Sequence, residues 1–184
     1  FRDFIASFAT EVAQSSRDME AGDEPPVMTI EARDGRSVPL AVGICFEAAY
    51  PLVIGEGVTR GGQAIIVPSN NYHFRSSGES AQQGQLLRMR AMEYSRSAVQ
   101  ASTTGHSYVI RPDGSVLAST GTEEAATLVA DVPLRSSLTL TATAGERIPA
   151  AAMAATVAIA ILTTATVIGQ GIRASARARR ASGH

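Results

Sequence analysis

Apolar residues fall in short blocks over the first two thirds of the chain and in one long block near its end. Phe4, Ile5, Phe8 and Val12 repeat at i, i+1, i+4 and i+8, which predicts a helix. Residues 13–27 are polar and acidic and include Pro25-Pro26, as expected of an exposed, mobile loop. Residues 28–32 then alternate, Asp34-Gly35 signals a tight turn, and residues 38–44 are almost continuously apolar. This pattern predicts a hairpin whose second strand ends at Cys45. A helix over residues 47–59, stopped by Gly61-Gly62, and a buried strand over 63–68 follow. Residues 79–100 predict the longest soluble helix, with Leu87, Ala91, Tyr94 and Ala98 on one face. Strands are expected at 98–103, 107–111, 116–119 and 126–132, with Pro112-Asp113-Gly114 as a turn. Strands alternating with helices and then closing in a hairpin imply a mixed α/β sheet.

The terminal block is different in kind. Residues 148–172 contain no charged side chain, and Arg173, Arg177, Arg179 and Arg180 follow them. At about 1.5 Å per residue this stretch is long enough to cross roughly 30 Å of hydrocarbon. Arginines beyond it predict a cytoplasmic tail over 173–184 and place Cys45 on the opposite side. A soluble alanine-rich helix is the plainer alternative. Residues 1–147 would then form the globular part.

Composition changes this picture little. A 184-residue chain with 45% hydrophobic residues can bury one real core. The formal net charge of −1 supplies no field to recruit nucleic acid. One cysteine excludes an internal disulfide framework, and His73, His106 and His184 lack ligand spacing, so neither a metal nor another cofactor is expected. The chain opens on Phe1 rather than Met, with no signal-like segment after it, and is expected to be a piece of a longer one.

The candidate chemistry centres on Cys45. A thiol at a strand-to-helix turn meets helix N-terminal N–H groups, which favour a thiolate and can hold a developing oxyanion. The alternative is a buried structural thiol packing as a small hydrophobe. Ser69-Asn70-Asn71, directly after a buried strand, occupies the usual place of a binding loop, or is simple turn chemistry. Arg90, Glu93 and Arg96, spaced by three, read by composition as a surface ion-pair ladder.

Five motifs stand in order between residues 38 and 147: Gly43-Ile-Cys-Phe-Glu47, Val67-Pro-Ser-Asn-Asn71, Arg88-Met-Arg-Ala-Met-Glu93-Tyr-Ser-Arg96, Thr104-Gly-His-Ser107 and Pro112-Asp-Gly114. Together they resemble the nitrilase (carbon–nitrogen hydrolase) superfamily, and most of all the C-terminal part of its apolipoprotein N-acyltransferase family. The resemblance implies a partial α-β-β-α sandwich followed by one C-terminal transmembrane helix in the bacterial plasma membrane. It implies that Cys45 takes a fatty acyl chain from a phospholipid as a thioester and passes it to the amino group of a diacylated apolipoprotein. Glu47 would assist, the Phe46 backbone N–H would serve the oxyanion, and Asn70, Arg90 and Glu93 would support the site. The family's lysine and general-base glutamate have no candidate here and are expected upstream of Phe1, so this stretch alone would be inactive. The loop reading Asn71-Tyr72-His73-Phe74-Arg75 departs from the family's aromatic-glycine ending. Two other readings are an amide or nitrile hydrolase using the same cysteine, and a non-catalytic membrane-tethered binding module.

Overall fold

Two parallel crossovers organise the molecule. The computed structural model describes residues 22–74, 77–122, 124–145 and 147–181, with side chains as far as residue 169. The helical stripe expected at residues 4–12 and the acidic loop as far as residue 21 lie outside the described residues. Among those described, six strands form one sheet in sequential order: β1 (Val27–Glu31), β2 (Ser37–Val42), β3 (Ala64–Ser69), β4 (Ser97–Ser102), β5 (Tyr108–Ile110) and β6 (Val116–Ser119). The pairs β2/β3 and β3/β4 are parallel, and β1/β2, β4/β5 and β5/β6 are antiparallel. The sheet is therefore mixed, as the sequence predicts.

Helices α1 (Pro51–Thr59) and α2 (Glu79–Tyr94) make the β2–β3 and β3–β4 crossovers. Both crossovers step the same way across the sheet, so a common handedness puts both helices on one face. The register confirms that face. Ala41 pairs with Ile65, Ile65 with Ala98 and Ala98 with Ile110. All four are fully buried in one cluster with Ile54 and Val58 of α1 and Leu87, Ala91 and Tyr94 of α2. On the reverse face Val38, Leu40 and Ala64 form a smaller cluster, while Met28 and Ile30 stay exposed. Of the stack implied by the resemblance, the described residues supply one sheet and one helical layer.

Four expectations are corrected. β2 ends at Val42, and Gly43 and Ile44 separate it from Cys45. The helix expected over 47–59 is two pieces, a 3₁₀ turn at Cys45–Ala49 and then α1. Pro51 causes the break: it disfavours helical geometry at the preceding Tyr50, which is extended at φ −95° and ψ 110°. The helix expected over 79–100 stops at Tyr94, where Ser95 turns left-handed at φ 50° and caps it, releasing Ala98 into β4. Residues 126–132 form no strand. They run as an irregular segment toward Pro133, whose carbonyl accepts the Ser97 hydroxyl, and Arg135, whose N–H reaches Gln63 O.

Arg96 belies the surface ladder. It is fully buried and donates to the carbonyls of Gly62, Tyr94, Ser95 and Ser137, tying the entry to β3, the end of α2 and the segment leading onward. Burial lowers its pKa from the ordinary arginine value, with the nearby Arg135 charge adding to the effect. A short helix α3 (Leu140–Ala144), capped by the Thr139 hydroxyl, then leads to α4 (Arg147–Ala181). The uncharged stretch of α4, within Arg147–Gly169, is about 35 Å long. Its side chains are exposed throughout.

Candidate active site

The three parallel strands all end at one edge, where β2 runs into Cys45, β3 into Asn70 and Asn71, and β4 into the 102–107 loop. In open α/β sheets this is the edge that binds ligands. Gly43 allows the chain to pass α1 closely, because a Cβ there would lie 2.6 Å from Ile54 Cδ1. Cys45 then adopts φ 53°, in the left-handed region. For a residue with a Cβ that conformation costs about 1–2 kcal/mol, and surrounding structure has to impose it. Glu47 does so in part. Its carboxylate accepts the Ile44 N–H at 2.6 Å, and its own N–H donates to Ile44 O. The predicted assisting residue thus holds the backbone beside the sulfur.

The thiol is half-buried, and Gln83 reaches it from α2, with Nε2 3.4 Å from Cys45 Sγ. One helical turn earlier, the fully buried Ser80 hydroxyl accepts from Asn71 Nδ2 at 3.3 Å and from the His106 N–H at 3.0 Å. One face of α2 therefore serves all three loops. Gln100 and Ser102 fix the last of them through His106 O, and His106 Nδ1 meets Thr120 O at 2.9 Å.

The other predicted residues fall as follows. Phe46 is exposed and packs edge-to-face on Tyr50, so its ring leaves the core while its backbone stays in the turn. Asn70 accepts the Tyr72 N–H and shapes its own loop, whereas Asn71 is the buried member of the pair. Arg90 and Glu93 form an ion pair at 3.0 Å that is largely withdrawn from water. Sequence reasoning missed Gln83 and Ser80. The available signal was spacing: Ser80, Gln83, Leu87, Ala91 and Tyr94 continue a single buried stripe.

Ile44, Phe46, Tyr50 and Leu52 are all exposed around the turn. Beyond Leu52 an apolar cavity of about 290 Å³ opens between α1, Tyr94 and the start of α4, where Ile148 and Pro149 line it. Among the described residues no cluster of His, Cys, Asp and Glu is arranged to hold a metal.

The chain is similar to known proteins. Residues 8–139 match the Carbon-nitrogen hydrolase family. The chain belongs to the carbon–nitrogen hydrolase family. Its mixed sheet with a helical layer is the nitrilase-like α/β fold. Among curated relatives, the apolipoprotein N-acyltransferase of Mycolicibacterium smegmatis is 35% identical over 125 residues, covering 68% of this chain and 21% of that protein. The apolipoprotein N-acyltransferase of Synechocystis is 36% identical over 96 residues, covering 52% and 17% respectively. The chain thus spans about a fifth of the length of the curated relatives it matches. Among solved structures, Saccharomyces cerevisiae Nit3, of the nitrilase superfamily, aligns at a TM-score of 0.47 and 25% identity over 58% of this chain and 40% of that one.

Proposed function

We propose that this chain is the nucleophile-bearing part of an enzyme that transfers a fatty acyl chain from a phospholipid to the N-terminal diacylglyceryl-cysteine of apolipoproteins. In the first half-reaction the Cys45 thiolate attacks the ester carbonyl. The carbon–sulfur bond forms, the ester carbon–oxygen bond breaks, and the lysophospholipid alkoxide leaves with a proton. In the second, the acceptor amine attacks the thioester, the carbon–sulfur bond breaks, and the amine proton departs as the amide forms. One difficult transfer becomes two easier ones.

The observation that carries this reading is the left-handed turn that sets Cys45 at the ligand-binding edge of the sheet, rimmed by exposed apolar side chains. An enzyme acting on acyl chains has use for such a rim, and for the apolar cavity at the foot of α4. The names of the relatives point the same way. In this reading the Phe46 N–H donates to the developing oxyanion, and Glu47, Arg90 and Glu93 maintain the frame around it. These 184 residues contain no lysine, so in this reading the lysine comes from sequence outside them, and the general-base glutamate is assigned there with it. The chain on its own is then inactive, because such groups act as a unit. In the bacterial plasma membrane, α4 would span the bilayer with its arginines cytoplasmic and Cys45 on the outer side.

The test uses the full-length parent protein and its Cys45→Ala variant, each supplied with phospholipid and a diacylated lipopeptide. Triacylated product from the parent and none from the variant is expected, with a fatty acyl group on Cys45 when acceptor is withheld. Equal product from both would end the proposal.

A further inference from the structure

Gln83 is 4% exposed and 38 residues from Cys45 in sequence, yet its amide donates to the sulfur at 3.4 Å. Its other polar atom, Oε1, is buried without a hydrogen-bond partner among the described residues. A buried unpaired amide oxygen costs about 1–3 kcal/mol, so packing alone would favour leucine or methionine at this position. A primary amide offers the sulfur something those cannot. Nε2 donates to a thiolate, and the same group turned over accepts the S–H of a thiol, so it can partner both protonation states.

No other side chain contends for that role among the described residues. The elements packed against the Cys45–Ala49 turn are α1, α2 and β3. In the turn itself, the Glu47 carboxylate is taken by the Ile44 N–H. On α1, Glu56 pairs with Arg60. On α2, Arg88 donates to Gly114 O, Arg90 pairs with Glu93, and Tyr94 donates to Pro51 O. Glu79 is exposed at the start of α2, and β3 carries no charged residue.

We propose that Gln83 is a positioning residue for the reaction: it fixes the Cys45 side chain in one orientation and favours its thiolate. This rests on Cys45 being the nucleophile. Hydrogen-bond donation to a charged form favours that form, and a carboxylate in the same place would do the reverse.

The experiment measures the rate at which iodoacetamide alkylates Cys45 in the full-length parent across a range of pH, followed by mass spectrometry of the Cys45 peptide. Gln83→Glu and Gln83→Met are compared with the parent, and circular dichroism melts check folding. The pH at half-maximal rate should rise by about one unit in Gln83→Glu, slowing alkylation about tenfold below the midpoint, and by roughly half as much in Gln83→Met. Profiles that superimpose on the parent's would overturn the proposal. If one variant does not fold, the other decides. If both fail to fold, the amide serves the fold rather than the sulfur, which also counts against the idea. Alkylation needs no acyl donor, so this result stands apart from whether Cys45 carries an acyl chain in turnover.

Discussion

Arg90 Nη1 lies 3.0 Å from Glu93 Oε2 across one turn of α2, and the two side chains are only 11% and 22% exposed. Their facing atoms attract by charge without a directed hydrogen bond between them. Removing one partner strands the other in a poorly solvated place, which costs more than the pair contributes. Glu93→Gln or Arg90→Met alone should therefore destabilise by about 2–4 kcal/mol, less than for a fully buried pair because some water reaches both. The double variant Arg90→Met/Glu93→Gln should lose clearly less than the sum. Urea unfolding of all three checks this, and strict additivity would refute it.

Gly84 faces Tyr108 across the interface between α2 and β5. A Cβ at Gly84 would sit 2.3 Å from Tyr108 Cε2, so Gly84→Ala has to displace the ring. Overpacking of this kind costs about 1–3 kcal/mol, which should outweigh alanine's better helix propensity. In a Tyr108→Ala background the same substitution should become neutral or mildly stabilising. Thermal melts of the four-member cycle would show the coupling, and equal costs in both backgrounds would contradict the packing account.

The apolar pattern conveyed the strands, the long helix and the site edge, because burial imposes periodicity that survives in one sequence. The boundaries were less legible. Tyr50 carries no mark of its own, and the break before α1 is set by the ring of Pro51, a local rule that an apolar count overrides. Arg96 misled for a different reason. Spacing of three predicts a ladder only inside a helix, and here the helix ends first, so the guanidinium turns inward to satisfy four carbonyls. Cys45 was legible as the candidate nucleophile, but its partner was not. Gln83 lies 38 positions away, and only the crossover of α2 over the sheet brings them together. Residues 126–132 alternate like a strand, yet they find no ladder to join.

Burial above all, with the Glu93 charge adding to it and the Arg90 charge opposing, pushes the Tyr94 phenol up to about 12. An unfolded chain releases that proton near pH 10. The folded state thus holds more protons between about pH 10 and 12, and stability must fall as pH rises through that window. Below it Tyr94 has no effect on the pH dependence. Tyr94→Phe should cost about 1 kcal/mol at neutral pH, through loss of the 2.7 Å bond to Pro51 O. That deficit should shrink above about pH 10, since phenylalanine has no proton to lose. Denaturant midpoints measured against pH would reveal the convergence, and parallel curves would exclude it.

The threonines of α4 return their hydroxyls to the helix: Thr156 to Ala152 O, Thr163 and Thr164 to Ala160 O, and Thr166 to Thr163 O. Hydrocarbon demands that polar atoms be satisfied internally, and these already are. The helix from Arg147 to Gly169 should therefore insert despite its modest alanine-rich composition. Ile159, near the middle and exposed, is the sensitive position. Arginine at a helix centre costs roughly 2.5–3.5 kcal/mol on insertion, whereas isoleucine is favourable. In the full-length parent, a C-terminal tag should be shielded from external protease, and Ile159→Arg should expose it in a substantial fraction of molecules. Ile159→Leu should not. A tag equally exposed in the parent would mean that α4 does not carry the arginines to the cytoplasmic side, and Cys45 would lose its argued position at the outer surface.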